Sequence, residues 1–456
     1  MKKIILLLLV ICLVFIASCN DKTPETKIEI DIIESSIKEV YYTDEFNITT
    51  IKISVTKNEE TKEESLTPLL IENYPSEFKE GEYTFKVNYE GAKLEFPVNF
   101  IEREFYTEGL EFVLNKTQDA YLVSKYLGSD KNVIIPEKFN YLNVVGIKSY
   151  AFNNNQVIEK VTLPETISEI EANAFSSSSI KEINIPESVK KIGAAAFYFC
   201  DNLRSVIIPK TVKTIEEYAF YNTILVYTNC SDVSIWDENA FDDNLVYIYK
   251  DLDLTKIIKD DYFEYYIDNT ATLLNYIGEE SNIEIPTKVN NCQVEKIGNS
   301  AFLQLDTLEE ITISNSIIYI GDKAFRETSL TTVEIPSSVK EIGIYAFSAC
   351  ESLEEVIFNE GLEIIKMSAF AACANLKVAI LPNSLHTIEQ YGFQNCLRIE
   401  KVFIPKSVTY VGDYAFYACH KAMLYIEAEN IPSTWHSNFS PSGAKKTFNA
   451  NKDNLN

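Results

Sequence analysis

The dipeptide Ala-Phe recurs through most of this chain, with its Phe at positions 152, 175, 197, 220 and 241 and again at 302, 325, 347, 370 and 416. Gly392-Phe393 fills the one gap in the second run. The separations are 23, 22, 23 and 21, then a break of 61, then 23, 22, 23, 23 and 23. A fixed period in the twenties restricts a chain to a stacked coil, because each unit carries an apolar face that it can bury only against its neighbours. One unit shows the plan: Leu330-Thr-Thr-Val333-Glu-Ile335-Pro336-Ser-Ser-Val339-Lys-Glu-Ile342-Gly343-Ile-Tyr-Ala346-Phe347-Ser-Ala-Cys350. The segment Leu-x-x-Val-x-Ile is predicted as a short strand with Leu, Val and Ile turned inward. Pro336 ends it, having no N–H for the ladder. Val339 and Ile342 line the next side, and Ala346-Phe347 fill the core at the turn back.

The break between the runs is itself patterned. Tyr126-Leu-Gly128 and Pro136 precede Phe152 at the same offsets, 26 and 16, at which Tyr276-Ile-Gly278 and Pro286 precede Phe302. The array therefore starts twice, giving a first array of five units over residues 105–250 and a second of six over 251–431. One continuous coil and a bend near 251–261 are both compatible with this spacing. Units around Tyr227 and Tyr247 lack the Ile-Pro pair and depart from the plan.

Eleven copies of a pattern like Ile-Pro-x-Ser-Val-x-x-Ile-Gly-x-x-Ala-Phe-x-x-Cys, nearly complete at Ser188-Val189-Lys-Lys-Ile192-Gly193-Ala-Ala-Ala196-Phe197-Tyr-Phe-Cys200, resemble the BspA-type leucine-rich repeat family of bacterial and protozoan surface proteins. The resemblance covers roughly 110–445. Asn430-Ile-Pro432-Ser-Thr-Trp435 with Ser440-Pro-Ser-Gly443 is similar to that family's closing segment, placing a closing segment and tail at 432–456. The resemblance implies a mainly β leucine-rich repeat solenoid of short parallel strands with irregular or short helical returns. It also implies adhesion, to host matrix proteins or to other cells.

Ahead of the repeats, Met1-Lys2-Lys3 leads into an apolar run from Ile4 to Ile16 and then Ala17-Ser18-Cys19. A basic start, a run of about 13 apolar residues and small residues at its end read as a secretory signal, and the run is shorter than a spanning helix needs. Ile16-Ala17-Ser18-Cys19 resembles a bacterial lipobox. That implies cleavage after residue 19's predecessor, lipid on Cys19, and a mature chain held outside a bacterial envelope by acyl chains, with residues 20–27 as a polar tether. Residues 28–104 alternate apolar and polar in short runs, as in Phe46-Asn-Ile-Thr-Thr-Ile-Lys-Ile-Ser-Val55 and Tyr83-Thr-Phe-Lys-Val-Asn-Tyr89. Such alternation predicts half-buried antiparallel strands in a sandwich. The order of Val40-Tyr41-Tyr42-Thr43-Asp44-Glu45-Phe46 and Phe78-Lys-Glu-Gly81-Glu-Tyr83 resembles a bacterial immunoglobulin-like domain, which implies a spacer.

Charge narrows the function. Lys+Arg 41 against Asp+Glu 67 gives a net charge of −26. A phosphate-binding surface needs the opposite balance, so nucleic acid and anionic lipid surfaces are excluded as ligands. Three His in the chain leave little room for His-based catalysis or metal ligation. No C-x-x-C, H-E-x-x-H, G-x-S-x-G or phosphate-cradling Gly loop occurs, and acidic clusters such as Glu354-Glu355, Asp242-Asp243 and Asp260-Asp261 lack calcium-loop spacing. No enzyme activity, cofactor or metal is expected. Cys200, Cys350, Cys373, Cys396 and Cys419 each sit three residues after a repeat Phe, a slot that elsewhere holds Asn155, Ser178, Thr223, Asn244, Leu305 and Thr328. A slot that accepts Cys, Ser, Thr and Asn is small, buried and able to bond backbone, so these Cys read as a structural ladder rather than disulfides. Cys230 and Cys292 have no assignment.

Function is then expected on the outward positions of the strand. The residue between Val and Ile runs Thr162, Asn184, Ile207, then Thr312, Glu334, Ile357, Ile380 and Phe403. The residue before Val runs Lys160, Glu182, Ser205, then Glu310, Thr332, Glu355, Val378 and Lys401. Rungs lie roughly 4.8 Å apart, so Ile357, Val378, Ile380 and Phe403 form a contiguous apolar stripe, a candidate partner surface. Two plainer accounts are a one-residue register slip and a tail that covers the stripe with Trp435 and Phe439. The partner is expected to be an extracellular protein, or alternatively a glycan or nutrient, for which exposed aromatic platforms would be the sign. A passive structural surface layer is the third reading.

Overall fold

Each regular coil of the repeat region lays down two short strands and a turn. The computed structural model describes residues 28–33, 36, 41–42, 46–75, 81–101, 106–242 and 245–452. In one coil Thr332–Ile335 is followed by Glu341–Ile342, and in the next Glu355–Phe358 by Ile364–Ile365. Equivalent strands pair in parallel, Val333 with Val356 and Ile342 with Ile365. A mainly β solenoid results, with two ladders and, on the third side, a turn edge. The returns are turns; among the described residues no α-helix occurs. The sequence reading missed the second strand because it is two residues long and carries only one inward apolar residue.

The third side holds the Phe column. Successive repeat Phe rings stack with centroids 4.8–5.7 Å apart and planes within 12°. The spacing is that of the strand rungs, so one apolar ring per period fills the coil without gaps. Tyr126 and Tyr276 head the two columns, 5.7 and 5.9 Å from Phe152 and Phe302. Backbone bonds tie this edge together as well, as from Phe347 N–H to the Ala369 carbonyl at 2.7 Å. Several coils carry Gly after the Ile of the second strand. At Gly343 an added Cβ would lie 2.6 Å from the Gly321 carbonyl carbon of the preceding coil. Where Glu occupies that slot, its carboxylate reaches back to cap the preceding coil: Glu216 accepts from Ala194 N–H and Glu389 from Met367 N–H, both at 2.9 Å.

Both columns end alike. Trp435 donates its indole N–H to the Val408 carbonyl at 3.1 Å, and Trp236 does the same to Val212 at 3.2 Å. Phe439 and Phe241 lie beside these indoles. The chain has two Trp, one closing each array. The closing segment was legible at 432–435 but its counterpart at Trp236 was not, because no Ile-Pro precedes it.

The arrays do not share a ladder: among the described residues no strand of one pairs with a strand of the other. The second array opens with antiparallel strands Ile257–Lys259, Phe263–Ile267 and Ala271–Tyr276. It docks sideways on the first through a separate apolar cluster of Ile224, Leu225, Tyr227, Leu274 and Leu303. A buried polar knot sits beside it. Glu264 accepts from the hydroxyls of Ser205 and Tyr227 and from the Asn275 amide, each at 3.0 Å. Arg204 donates to the Leu303 carbonyl at 3.1 Å and to the Asn275 side-chain oxygen at 3.4 Å. Burial lowers its guanidinium pKa to about 10, against the favourable field of Tyr227 and Glu264.

The chain divides into compact units between Phe105 and Tyr106. In the first, Ile28–Ile32, Lys52–Lys57 and Glu60–Ser65 form one antiparallel sheet, while Gly81–Tyr89, Ala92–Ile101 and Tyr41–Tyr42 form a mixed one, the last strand pairing in parallel rather than antiparallel as expected. Ile53, Val55, Phe85, Val87, Phe96 and Phe100 make a common core, as period-two alternation in residues 83–89 leads one to expect; in residues 46–55 only the part from Lys52 is strand, since Ile48–Thr50 turns as a 3-10 helix capped by Asn47. Cys19 with the signal 1–19, the tether 20–27, and the motif residues 40, 43–45 and 78–80 lie outside the described residues.

Candidate binding surface

The outward rows follow from strand pairing. Glu334 pairs with Ile357, Glu355 with Val378, Ile380 with Phe403, Phe403 with Tyr425, and Tyr425 with Thr447. The register is the one expected from Leu-x-x-Val-x-Ile, and the inward members Val333, Ile335, Val356 and Val402 are buried. Ile357 is 46% exposed, and Val378 and Ile380 are half-buried.

Phe403 corrects the stripe. It stays in the outward row, yet it is only 2% exposed. Its ring lies between Ile380 and Tyr425 in adjacent rungs, and the chain beyond Lys445–Thr447 turns back along the sheet. Asn449 and Ala450 donate to the carbonyls of Ala428 and Ile426 at 3.3 and 3.1 Å. Lys452 lies near enough to Glu360 for its charge to act on that carboxylate. A returning tail was foreseen, but with Trp435 and Phe439 as the cover; these instead close the end of the coil. Tyr425 and Met423, both half-buried, extend the two rows beyond Phe403 and Lys401. The sequence pattern does not reach them because Met423-Leu424-Tyr425-Ile426 lies beyond the last Ala-Phe, at Phe416.

On the first array the same outward rows meet a different fate. Leu225 and Tyr227 stand in the positions of Glu355 and Ile357 but are fully buried under Leu274 and Leu303. Glu182, one of the predicted outward residues, bonds Lys160 at 2.8 Å and Lys259 of the second array at 2.7 Å. The first array thus uses the end of its outward face to hold the second, and the second array leaves Ile357 exposed with Val378 and Ile380 half-buried beside it.

The Cys slot behaves as its composition suggests. Each thiol donates to the carbonyl of the Phe one coil earlier, at 3.1 Å for Cys200, 3.0 Å for Cys350, 3.1 Å for Cys373, 3.3 Å for Cys396 and 3.1 Å for Cys419. Burial pushes the Cys200 and Cys350 thiols up to about 11. All seven described Cys are free thiols. Cys230 donates to the Asp232 carbonyl at 3.1 Å, and Cys292 opens the strand Cys292–Ile297. Among the described residues no group of His, Cys, Asp and Glu could hold a metal ion, and no helix is long and apolar enough to cross a membrane.

One aromatic cluster was not foreseen. Tyr198, Phe199, Tyr218 and Tyr221 meet on the turn edge of the first array, with centroid separations of 4.1–6.4 Å. Phe199 and Tyr218 adopt left-handed backbone, φ 52° and 58°, and project from the coil. The signal was available as Tyr-Phe and Tyr-x-x-Tyr at matching offsets around Phe197 and Phe220.

No curated protein matches the sequence. Among solved structures, a leucine rich cell surface protein of Faecalibacterium prausnitzii is 22% identical, covering 75% of this chain and 99% of its own, with a TM-score of 0.33. A leucine-rich repeat protein of Eubacterium ventriosum is 19% identical over 74% of this chain and 94% of its own, TM-score 0.42. The pneumococcal vaccine antigen PcpA is 15% identical over 76% and 98%, TM-score 0.37. The family described as the BspA type leucine rich repeat region matches residues 127–246 and 295–423 in six copies, spans that contain both Phe columns. With more than half of its length inside that match, the chain belongs to the BspA type leucine-rich repeat family.

Proposed function

We propose that the chain is a cell-surface lipoprotein whose second array binds a protein partner through its outward ladder, in adhesion to host matrix or to other cells. The observation that carries this reading is the patch of Ile357, Val378 and Ile380, the first exposed and the others half-buried, on a face whose rung at Leu225 and Tyr227, near the end of the first array, is covered. Apolar groups in contact on an otherwise polar face favour association with a partner. The anchor is Cys19, acylated after signal cleavage, with residues 20–27 as tether and the β unit of 28–104 as an immunoglobulin-like spacer. The two arrays of 105–250 and 251–431 and the closing segment of 432–456 then stand clear of the membrane. Family membership supports a surface location, and the acidic balance of the chain supports a protein rather than nucleic acid or a lipid surface as partner.

The test is solid-phase binding of residues 20–456 to a panel of matrix proteins and glycans, beside an Ile357→Lys/Ile380→Lys variant that keeps its circular dichroism. Binding by the parent and its loss in the variant are expected. Undiminished binding by the folded variant refutes the face, and silence of both across the panel favours a structural surface layer.

A further inference from the structure

The aromatic cluster on the first array has surroundings that select a ligand chemistry. Residues 171–179, 193–203, 216–223 and 237–242, which build this edge over four coils, contain no Lys or Arg but carry Glu171, Asp201, Glu216, Glu217, Asp237, Glu238 and Asp242. Glu217 is exposed, and its carboxylate, beside Tyr218 in the chain, raises the pKa of that tyrosine hydroxyl. Asp201 is held by the Asn222 amide at 2.8 Å. The neighbouring rings are tilted by 49–82° to one another. A flat row of coplanar rings suits a sugar; tilted rings with carboxylates at their rim suit a cation, which is attracted to ring faces and to the acid together.

The protein contains an internal version of such a complex. In the second array Tyr345 takes the position two residues before its Phe, with φ 56°, as Tyr218 does. The Arg326 guanidinium, one residue after the Phe of the preceding coil, lies 5.9 Å from the Tyr345 ring centroid and 2.7 Å from the Glu327 carboxylate. The position of Arg326 is occupied in the first array by Tyr198, and that of Glu327 by Phe199. There the tyrosine of the repeat has rings and acid around it, and no guanidinium of its own. In the slot of Phe199 the other described left-handed residues are Asn154, Ser177, Gln304, Glu327, Ala349, Ala372, Asn395 and Ala418. An aromatic ring in left-handed backbone costs roughly 1 kcal/mol and gains no core contact in return.

We propose that Tyr198, Phe199, Tyr218 and Tyr221, with Glu217, form a site for an arginine side chain of a basic polypeptide. The site is on the first array and stands or falls separately from the face of the second. The probe is the peptide amide Gly-Arg-Arg-Gly, with its citrulline counterpart as a neutral isostere and an N-acetylglucosamine oligomer as the sugar arm. Binding to residues 20–456 is followed by proton NMR of the peptide, where stacking on rings moves the arginine δ-methylene resonances upfield. The variant is Tyr198→Ser/Phe199→Ser, which gives this coil the Ser176-Ser177 that the preceding coil already carries.

Saturable binding of the arginine peptide with an upfield shift is expected. Binding about tenfold weaker and without that shift is expected of the variant, on the order set by losing two partly exposed cation–π contacts. Glu217→Gln is expected to weaken binding several-fold. Because the chain is acidic throughout, a peptide held by net charge alone would bind parent and variant equally, and that result overturns the proposal. So does equal binding of the citrulline peptide, or binding of the oligosaccharide in place of the arginine peptide.

Discussion

Replacing Phe347 by Ala tests whether the stacked rings hold the solenoid together. Phe347 is fully buried and lies between Phe325 at 4.9 Å and Phe370 at 5.2 Å, the latter pair parallel to within a degree. Truncation removes roughly 100–150 Å² of buried apolar surface, worth about 2.5–3.8 kcal/mol at about 25 cal/mol per Å². Two stacking contacts are lost as well, and the rigid ladders on either side limit collapse of the cavity, so a loss of about 3–5 kcal/mol is expected. Phe241 provides the internal comparison. It ends its column, touches one ring of that column at 5.7 Å and is 8% exposed, so Phe241→Ala is expected to lose about 2 kcal/mol. Urea unfolding followed by far-ultraviolet circular dichroism and by Trp fluorescence gives both values. The reasoning is refuted if Phe347→Ala loses less than about 1.5 kcal/mol, or no more than Phe241→Ala, for then the column is filler and the ladders alone hold the coils.

Arg204→Ala is expected to lose about 1–3 kcal/mol by leaving the Leu303 carbonyl and the Asn275 side-chain oxygen without their donor at the junction, read from urea unfolding. Gly343→Ala is expected to lose a few kcal/mol in thermal or urea unfolding, because the new methyl would sit 2.6 Å from the backbone of the preceding coil. For pH dependence the sign follows from Cys200 and Cys350, whose thiols are pushed up to about 11 by burial. The unfolded chain then releases protons first, so stability is full below about pH 8.5 and falls as pH rises towards 11, on the order of 2 kcal/mol per thiol. Urea midpoints between pH 7 and 10.5 measure it, and a parallel series on Cys350→Ser, which keeps a small donor for the Phe325 carbonyl, is expected to show a shallower decline.

What was legible in the sequence was whatever repeats. The period placed Phe347 and its equivalents in one column, the mixed Cys, Ser, Thr and Asn slot declared a small buried donor, and Leu-x-x-Val-x-Ile set the register that puts Ile357 and Ile380 outward. What escaped depends on contacts between distant segments, which a local pattern does not encode. Leu225 and Tyr227 look like surface residues of a degenerate unit until the second array is laid on them. Phe403 looks exposed until Tyr425 is seen beside it and the chain after Thr447 is seen to turn back. Trp236 reads as an isolated aromatic until its indole bond to Val212 is set beside that of Trp435 to Val408.

The rung at Leu225 and Tyr227, near the end of the first array's outward face, is spent on the junction, while Ile357 on the second array is left open to a partner. Single Cys substitutions at Leu225 and Ile357 test this directly, by timing thiol labelling of the folded chain at pH 8 against that of the parent, whose five repeat-slot thiols are buried. The account expects Ile357→Cys to label at nearly the rate of a free thiol and Leu225→Cys to stay protected until urea unfolds the protein. Equal and rapid labelling of both in folded protein contradicts it, since it would mean that the arrays do not dock and that the two faces are equally open.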